Sequence, residues 1–312
     1  MSSRGFVTIA TGDERYYDIA RNLLRSYKAF ASIHYPFAIL CDRENEYTED
    51  FDDVFLLEKA HRNYLDKLQL YEYLPYDETI FIDADSLAYG DLDEWWDLFK
   101  DADDFSLFGY AWTDLKSGRG WFMPAGAGEF KDRITFIPDF NGGVYYMRRS
   151  ERCKKVFELA NYFALNFKNY TFNDFTEPAD EPCLAMAMAI EQCMPLDLKE
   201  KGLVFAPKRQ NIELDIEKPI ALWHGNTGEE YAVYLVHWSN YRTKLSLYKF
   251  EAEKLNYMTK KNESIGAVRY KILYQYKFKY YFLCIFNIEA YLDRLRNKIK
   301  RMLKRMLKRN ND

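Results

Sequence analysis

Two aspartates flank a single residue in Asp83-Ala84-Asp85, directly after the apolar run Ile80-Phe81-Ile82 and shortly before Gly90-Asp91-Leu92. The apolar run has the character of the end of a buried strand, and residues two apart on a strand share a face. Both carboxylates are therefore expected to point into one pocket at the carboxyl edge of a sheet, where open α/β folds bind ligands. Two carboxylates so close repel each other. A hard divalent cation such as Mg²⁺ or Mn²⁺ removes that repulsion, and such cations take oxygen ligands together with phosphates. The bland alternative is a solvated acidic turn; the apolar lead-in and the glycine exit weigh against it.

The elements that must position this pair are legible on both sides of it. Phe6 to Ala10 is a short β-rich run, closed by the turn Thr11-Gly12-Asp13. Ile19, Leu23, Tyr27 and Phe30 then recur at spacings of three and four, the mark of a helix with one apolar face. Phe37 to Cys41 and Val54 to Leu57 read as two further strands, Tyr64 to Leu74 as a helix, and Thr79 to Ile82 as the strand that delivers the acids. Strand, helix, strand, strand, helix and strand in this order predict a largely parallel α/β sheet. Beyond Asp85, Gly118 to Gly128 suggests a mobile loop, and Phe140 to Met147 a glycine turn entering a strand. Asp180-Glu181-Pro182 opens an apolar helix, since acids suit a helix start. Ile220 to Trp223 and Val233 to Val236 are strand-like runs, each ending in a histidine, and Leu245 to Leu255 is helical.

A chain of 312 residues is long enough to bury a large core, and its net charge of −4 argues against a general nucleic-acid binder. Its five cysteines are scattered without CxxC spacing, which reads as reduced thiols and not as a disulfide frame or a zinc site. No signal-peptide pattern opens the sequence. The longest apolar run, Tyr280 to Ile288, is too short to span a bilayer. A cytoplasmic location, peripheral at the inner face of a membrane, is therefore expected. The charge average hides a basic end. Nine lysines and arginines between Arg294 and Arg309 interleave with Leu295, Ile299, Met302, Leu303, Met306 and Leu307, after an aromatic stretch from Tyr270 to Phe286. An amphipathic basic helix with nearby aromatics suits an anionic membrane surface. Residues 1–255 are thus expected to form one domain, and 256–312 an aromatic and basic segment that binds membrane through 289–312.

The ordered set Phe6 to Thr11, Ile82 to Asp85, Asn141 to Val144, Asp180-Glu181 and a late histidine resembles nucleotide-sugar glycosyltransferases of the GT-A fold, and within them glycosyltransferase family 8. The resemblance spans roughly residues 5 to 245 and implies a metal-dependent, retaining transfer of a hexose from a nucleotide sugar, a UDP-sugar, to a glycan or lipid-linked acceptor. It implies that Ala10, Thr11 and Gly12 hold the base and ribose, with Tyr16 stacking on the base, and that Lys67 lies near the diphosphate or sugar. It implies that Asp83 sits by the ribose and metal, with Ala84 between, and that Asp85 binds Mn²⁺ (or Mg²⁺) more directly. Asn141, Gly142 and Gly143 resemble the turn facing the donor sugar. Asp180 and Glu181, with Asn141, are the candidate catalytic residues; Glu181 departs from the amide found there in the family. The third metal ligand is a late histidine at a strand end, followed in the family by glycine and lysine. His237 is preferred, because Arg242 and Lys244 follow at a spacing that reaches a diphosphate, and Lys244 is assigned to the donor. The missing glycine keeps His224, which precedes Gly225, open.

Two other functions compete. Phosphatases of the haloacid dehalogenase type also end a strand in Asp-x-Asp, but they want Thr or Val two residues on, where this chain has Leu87. A catalytically inactive scaffold on the transferase fold would bind neither metal nor nucleotide.

Overall fold

The computed structural model describes residues 3–205, 212–225, 228–244 and 246–259, together with 292 and 295. The expected membrane-binding segment 289–312 lies outside the described residues apart from the last two. Among the described residues no helix is long and apolar enough to cross a membrane.

Strand β1 (Arg4–Ala10) leads into helix α1 (Glu14–Phe30) and then into β2 (Phe37–Cys41), β3 (Asp53–Leu56) and β4 (Glu78–Ile82). These four strands pair in parallel in the order β3-β2-β1-β4. β5 (Ser86–Ala88) follows at once; helix α2 (Trp95–Leu98) precedes β6 (Phe105–Ser106) and β7 (Gly109–Trp112). β8 (Ile137–Phe140) pairs with β7, and β9 (Val144–Arg148) pairs antiparallel with β4 and β6, completing a six-stranded, mostly parallel sheet. Helices α3 (Glu151–Leu165) and α4 (Asp180–Glu191) come next. Then follow β10 (Leu203–Phe205), β11 (Ile212–Asp215), β12 (Ile220–His224), β13 (Glu230–Ala232) and β14 (Leu235–His237), and helices α5 (Ser239–Arg242) and α6 (Ser246–Thr259).

Strand alternation explains why the middles of β1 and β4 are apolar on both faces. Phe6, Ile80 and Ile82 pack into the core under α1, whereas Val7 and Phe81 pack into the core under α3 and α4. Both faces of the sheet are covered, so these strands lack the regular polar outward face of a one-sided sheet. Helix α1 starts where Asp13 accepts a hydrogen bond from the Arg15 amide at 2.9 Å, an N-cap. Its Ile19, Leu23, Leu24 and Tyr27 are buried, each worth about 1.5–3 kcal/mol of transfer from water. Helix α6 packs on α1 through Arg25, whose guanidinium donates to Asn256 at 2.5 Å, and it runs on past the expected boundary at residue 255.

Two local expectations are corrected. Residues Tyr64–Tyr73 form a 3-10 helix and not an α-helix. Asp66, Lys67 and Leu68 are all buried there. The stretch Gly118 to Gly128, read as a loop over the site, does reach the site through Trp121, but it is part helical and part buried. Phe122 and Ala127 are fully buried, and Pro124–Arg133 is 3-10 helical.

Candidate active site

The two aspartates do not lie on the strand. β4 stops at Ile82, and the Ser86 amide donates to the Asp83 carbonyl at 3.1 Å, which makes Asp83 to Ser86 a turn between β4 and β5. That turn, and not strand alternation, brings the acids together. Antiparallel pairing of β5 with β14 places His237 opposite Ser86, and the Trp238 amide donates to the Asp85 carbonyl at 2.9 Å. Nε2 of His237 consequently lies 2.9 Å from Asp85 Oδ1 and 3.4 Å from Asp83 Oδ2. One donor atom from each of Asp83, Asp85 and His237 falls within 4.8 Å of the others.

This trio fits a divalent cation on three counts. The donor set is two carboxylates and an imidazole. Asp85 Oδ1 is buried without a hydrogen bond of good geometry, although the histidine is close. His237 is also aimed from behind: its Nδ1 meets Asn141 Oδ1 at 2.5 Å, the outer-sphere contact that orients a ligating imidazole. Burial raises the Asp83 carboxyl, against the pull of Lys67. Burial would raise Asp85 too, but the neighbouring His237 charge outweighs it and holds Asp85 low. Burial would lower His237, and Asp85 overcomes that, so its imidazole is raised.

Lys67 binds the second half of the site to the first. Its Nζ lies 2.8 Å from Asp83 Oδ2, 3.2 Å from Asp180 Oδ2 and 3.0 Å from the Gly142 carbonyl. Burial alone would lower this amine; Asp180 and Asp83 more than reverse it, so it stays charged. Asp180 and Glu181 are the first residues of α4. Tyr145 donates to Asp180 Oδ2 at 2.8 Å, and the Gly142 amide donates to Glu181 Oε1 at 2.7 Å. Burial, and next the Asp180 charge, raise the Glu181 carboxyl. The Asp83 amide closes the ring by donating to the Gly143 carbonyl at 2.9 Å.

All of this lines a cavity of about 820 Å³ beside the carboxyl ends of β1 and β4. Thr11, Tyr16, Lys67, Asp83, Ala84, Asp85, Asn141, Gly142, Asp180, Glu181 and His237 contribute to its wall. Ala10, Gly12 and Gly143 stand behind it. Ala10 is buried in the core, the Gly12 amide donates to Asp42, and Gly143 backs onto His237. Lys244 is exposed and not part of the wall, and His224 pairs with Glu230 at 3.0 Å at the end of β12, also off the wall. Sequence reasoning missed Asp66 and Tyr145; Trp121 reaches the wall from the glycine-rich stretch expected to lie over the site. Asp66 is buried, takes the Thr11 hydroxyl at 2.9 Å and the Arg62 amide at 2.9 Å, and so shapes the wall near β1. The residue before it in the chain that signals this turn is Asn63, which caps the 3-10 helix. Nothing local marks Tyr145.

No protein-family model matches this chain, and no curated protein matches it. Solved structures do. WbbM, a bifunctional glycosyltransferase, is 11% identical over 86% of this chain and 51% of its own, with a TM-score of 0.52; the chain spans about half the length of that protein. The galactosyltransferase LgtC, solved in complex with donor and acceptor sugar analogs, is 14% identical over 85% of this chain and 99% of its own, at a TM-score of 0.49. Mouse xyloside xylosyltransferase 1 is 12% identical over 76% and 98%, at 0.45. At such identities the likeness concerns the backbone alone: the chain has the GT-A glycosyltransferase fold.

Proposed function

We propose that this protein is a metal-dependent glycosyltransferase that moves a hexose from a nucleotide sugar, a UDP-sugar, to a hydroxyl of a glycan or lipid-linked acceptor, with retention of configuration. The observation that carries the reading is the convergence of Asp83, Asp85 and His237 on one point of the large cavity. Carboxylates outnumber cations along that wall: Asp66, Asp83, Asp85, Asp139, Asp180 and Glu181 stand against Arg62 and Lys67. Lys67 is already committed to two of them. A diphosphate cannot enter so acidic a wall without a cation to screen it.

Asp83, Asp85 and His237 would hold Mn²⁺ or Mg²⁺, which would supply Lewis-acid neutralisation of the leaving diphosphate. Asn141 fixes the orientation of the His237 ring through Nδ1. Thr11 and Tyr16 line the part of the wall nearest β1, suited to base and ribose. Lys67 holds Asp180 in place at the head of α4 through its 3.2 Å contact, so that Asp180 and Glu181 border the sugar. Gly142 lets the backbone approach closely, since a Cβ there would meet Tyr145 Oη at 2.7 Å and Glu181 Cγ at 3.0 Å.

A thermal-shift screen of nucleotide sugars with Mn²⁺ tests the reading, followed by product analysis. The expected product is a nucleoside diphosphate; release of free phosphate from a phosphorylated substrate points to the phosphatase, and absence of any metal or nucleotide binding to a scaffold. Asp85→Ala should lower Mn²⁺-dependent turnover by roughly 100-fold or more, the scale of losing one preorganised charge contact, while the fold itself survives by circular dichroism. Unchanged turnover in Asp85→Ala removes the assignment.

A further inference from the structure

Asp139, Phe140 and Asn141 form a wall between two cavities. One is the large cavity described above; the other, about 340 Å³, lies on their far side. The smaller volume is near the lower end of ligand pockets, about 300–1,000 Å³, and suits one or two sugar rings better than a nucleotide sugar. Its lining includes Tyr110 of β7, Trp223 of β12 and Tyr231 of β13. These rings are braced: Trp223 and Tyr231 are cross-strand partners stacked at 5.6 Å and 17°, and Tyr110 stacks on Trp112 at 5.9 Å and 27°. Braced aromatic rings supply contact area at little cost in side-chain freedom. The polar groups on the rim are Asp139, Asp197 and Lys199. Two acids against one amine disfavour an anionic occupant.

We propose that this second cavity is a glycan subsite, in which a neutral sugar ring of the acceptor lies against Tyr110, Trp223 and Tyr231 while the next ring reaches past Asn141 to the donor. The assignment of the occupant as acceptor rests on the transferase reading. The chemistry is specific to sugars. A pyranose has an apolar C–H face that stacks on an aromatic ring, and an edge of hydroxyls that suits carboxylates and an ammonium group.

The test titrates the intact protein with lactose, maltose and cellobiose, with and without Mn²⁺ and UDP, by saturation-transfer NMR and indole fluorescence. At least one of the three disaccharides should bind. Trp223→Ala and Tyr110→Ala should each weaken it by about threefold to tenfold, the value of a stacked aromatic contact, and Trp223→Phe should restore most of the loss. The thermal shift produced by Mn²⁺ and UDP should persist in all three variants. Tyr110 is 38% exposed, so its truncation tests the cavity even if a Trp223 variant fails to fold. Failure of all three disaccharides to bind the unmodified protein overturns the proposal, as does undiminished binding in both alanine variants. Disaccharide binding without any Mn²⁺–UDP shift upholds the glycan subsite and overturns the transferase reading instead.

Discussion

Lys67 stands between carboxylates supplied by two different elements, Asp83 after β4 and Asp180 at the head of α4. Its side chain is 11% exposed and that of Asp180 only 4%, so water offers little replacement for either partner. Removing one member of a buried ion pair leaves an uncompensated charge and costs roughly 3–5 kcal/mol. Lys67→Met is expected to lower unfolding stability by that order in urea titration; a loss under about 1 kcal/mol would show that the pair is not held in solution. His237 gives a pH-dependent counterpart. Its raised imidazole stabilises the metal-free protein fully below the ordinary value near 6.5, and that contribution is lost as pH rises through the elevated value. A cation needs the neutral ring. Mn²⁺ affinity should therefore climb with pH through the same window, with one proton released per ion bound. Calorimetry in two buffers of different ionisation enthalpy reads that proton; affinity independent of pH between about 6 and 8 would contradict it.

Elements decide how closely these residues approach. The turn at Asn141-Gly142-Gly143 precedes β9, and the antiparallel register of β9 against β4 sets Val144 opposite Ile82, next to the acids. A Cβ at Gly143 would lie 2.8 Å from His237 Nδ1 and 3.1 Å from Asn141 Oδ1. Gly143→Ala is thus expected to push the imidazole off its orienting contact and weaken Mn²⁺ binding by about 10- to 100-fold, as loss of an outer-sphere partner does. The sheet should survive, since neither flanking strand is touched; a normal circular dichroism spectrum with weakened Mn²⁺ binding is the expected pair of results. At this scale the chain was readable where one face repeats. Strands β1, β2 and β4 and helices α1 and α4 fall near their expected positions because both burial periods are written in the residues. The 3-10 segment at Tyr64–Tyr73 was not readable as such: its buried Asp66 and Lys67 find their partners on other elements, which local spacing does not record.

Across the whole molecule, two cavities share one wall, and a basic segment follows the folded body in sequence. Membrane association through 289–312 is proposed from residue pattern alone. Each basic group near an anionic surface contributes about 1 kcal/mol, a contribution that salt screens. Deleting 289–312 is expected to release the protein from anionic vesicles in co-sedimentation while transfer to a soluble acceptor continues. Equal sedimentation of both forms would refute the anchor.

The α/β architecture and the succession of its first strands along the chain could be read from residue types, because alternation and apolar runs are local; that Asp83 and Asp85 share a pocket was expected for the wrong local reason, since a turn and not alternation joins them. Such patterns extend over a few residues and answer to burial, which composition encodes directly. Which histidine joins the acids could not be read that way, since His224 and His237 both end strand-like runs. The antiparallel seat of β14 on β5 chose His237 and left His224 beside Glu230. The same is true of Tyr145 under Asp180 and of the aromatic cavity behind Asn141. Those contacts join residues far apart in the chain, and only the packed sheet brings them within bonding distance.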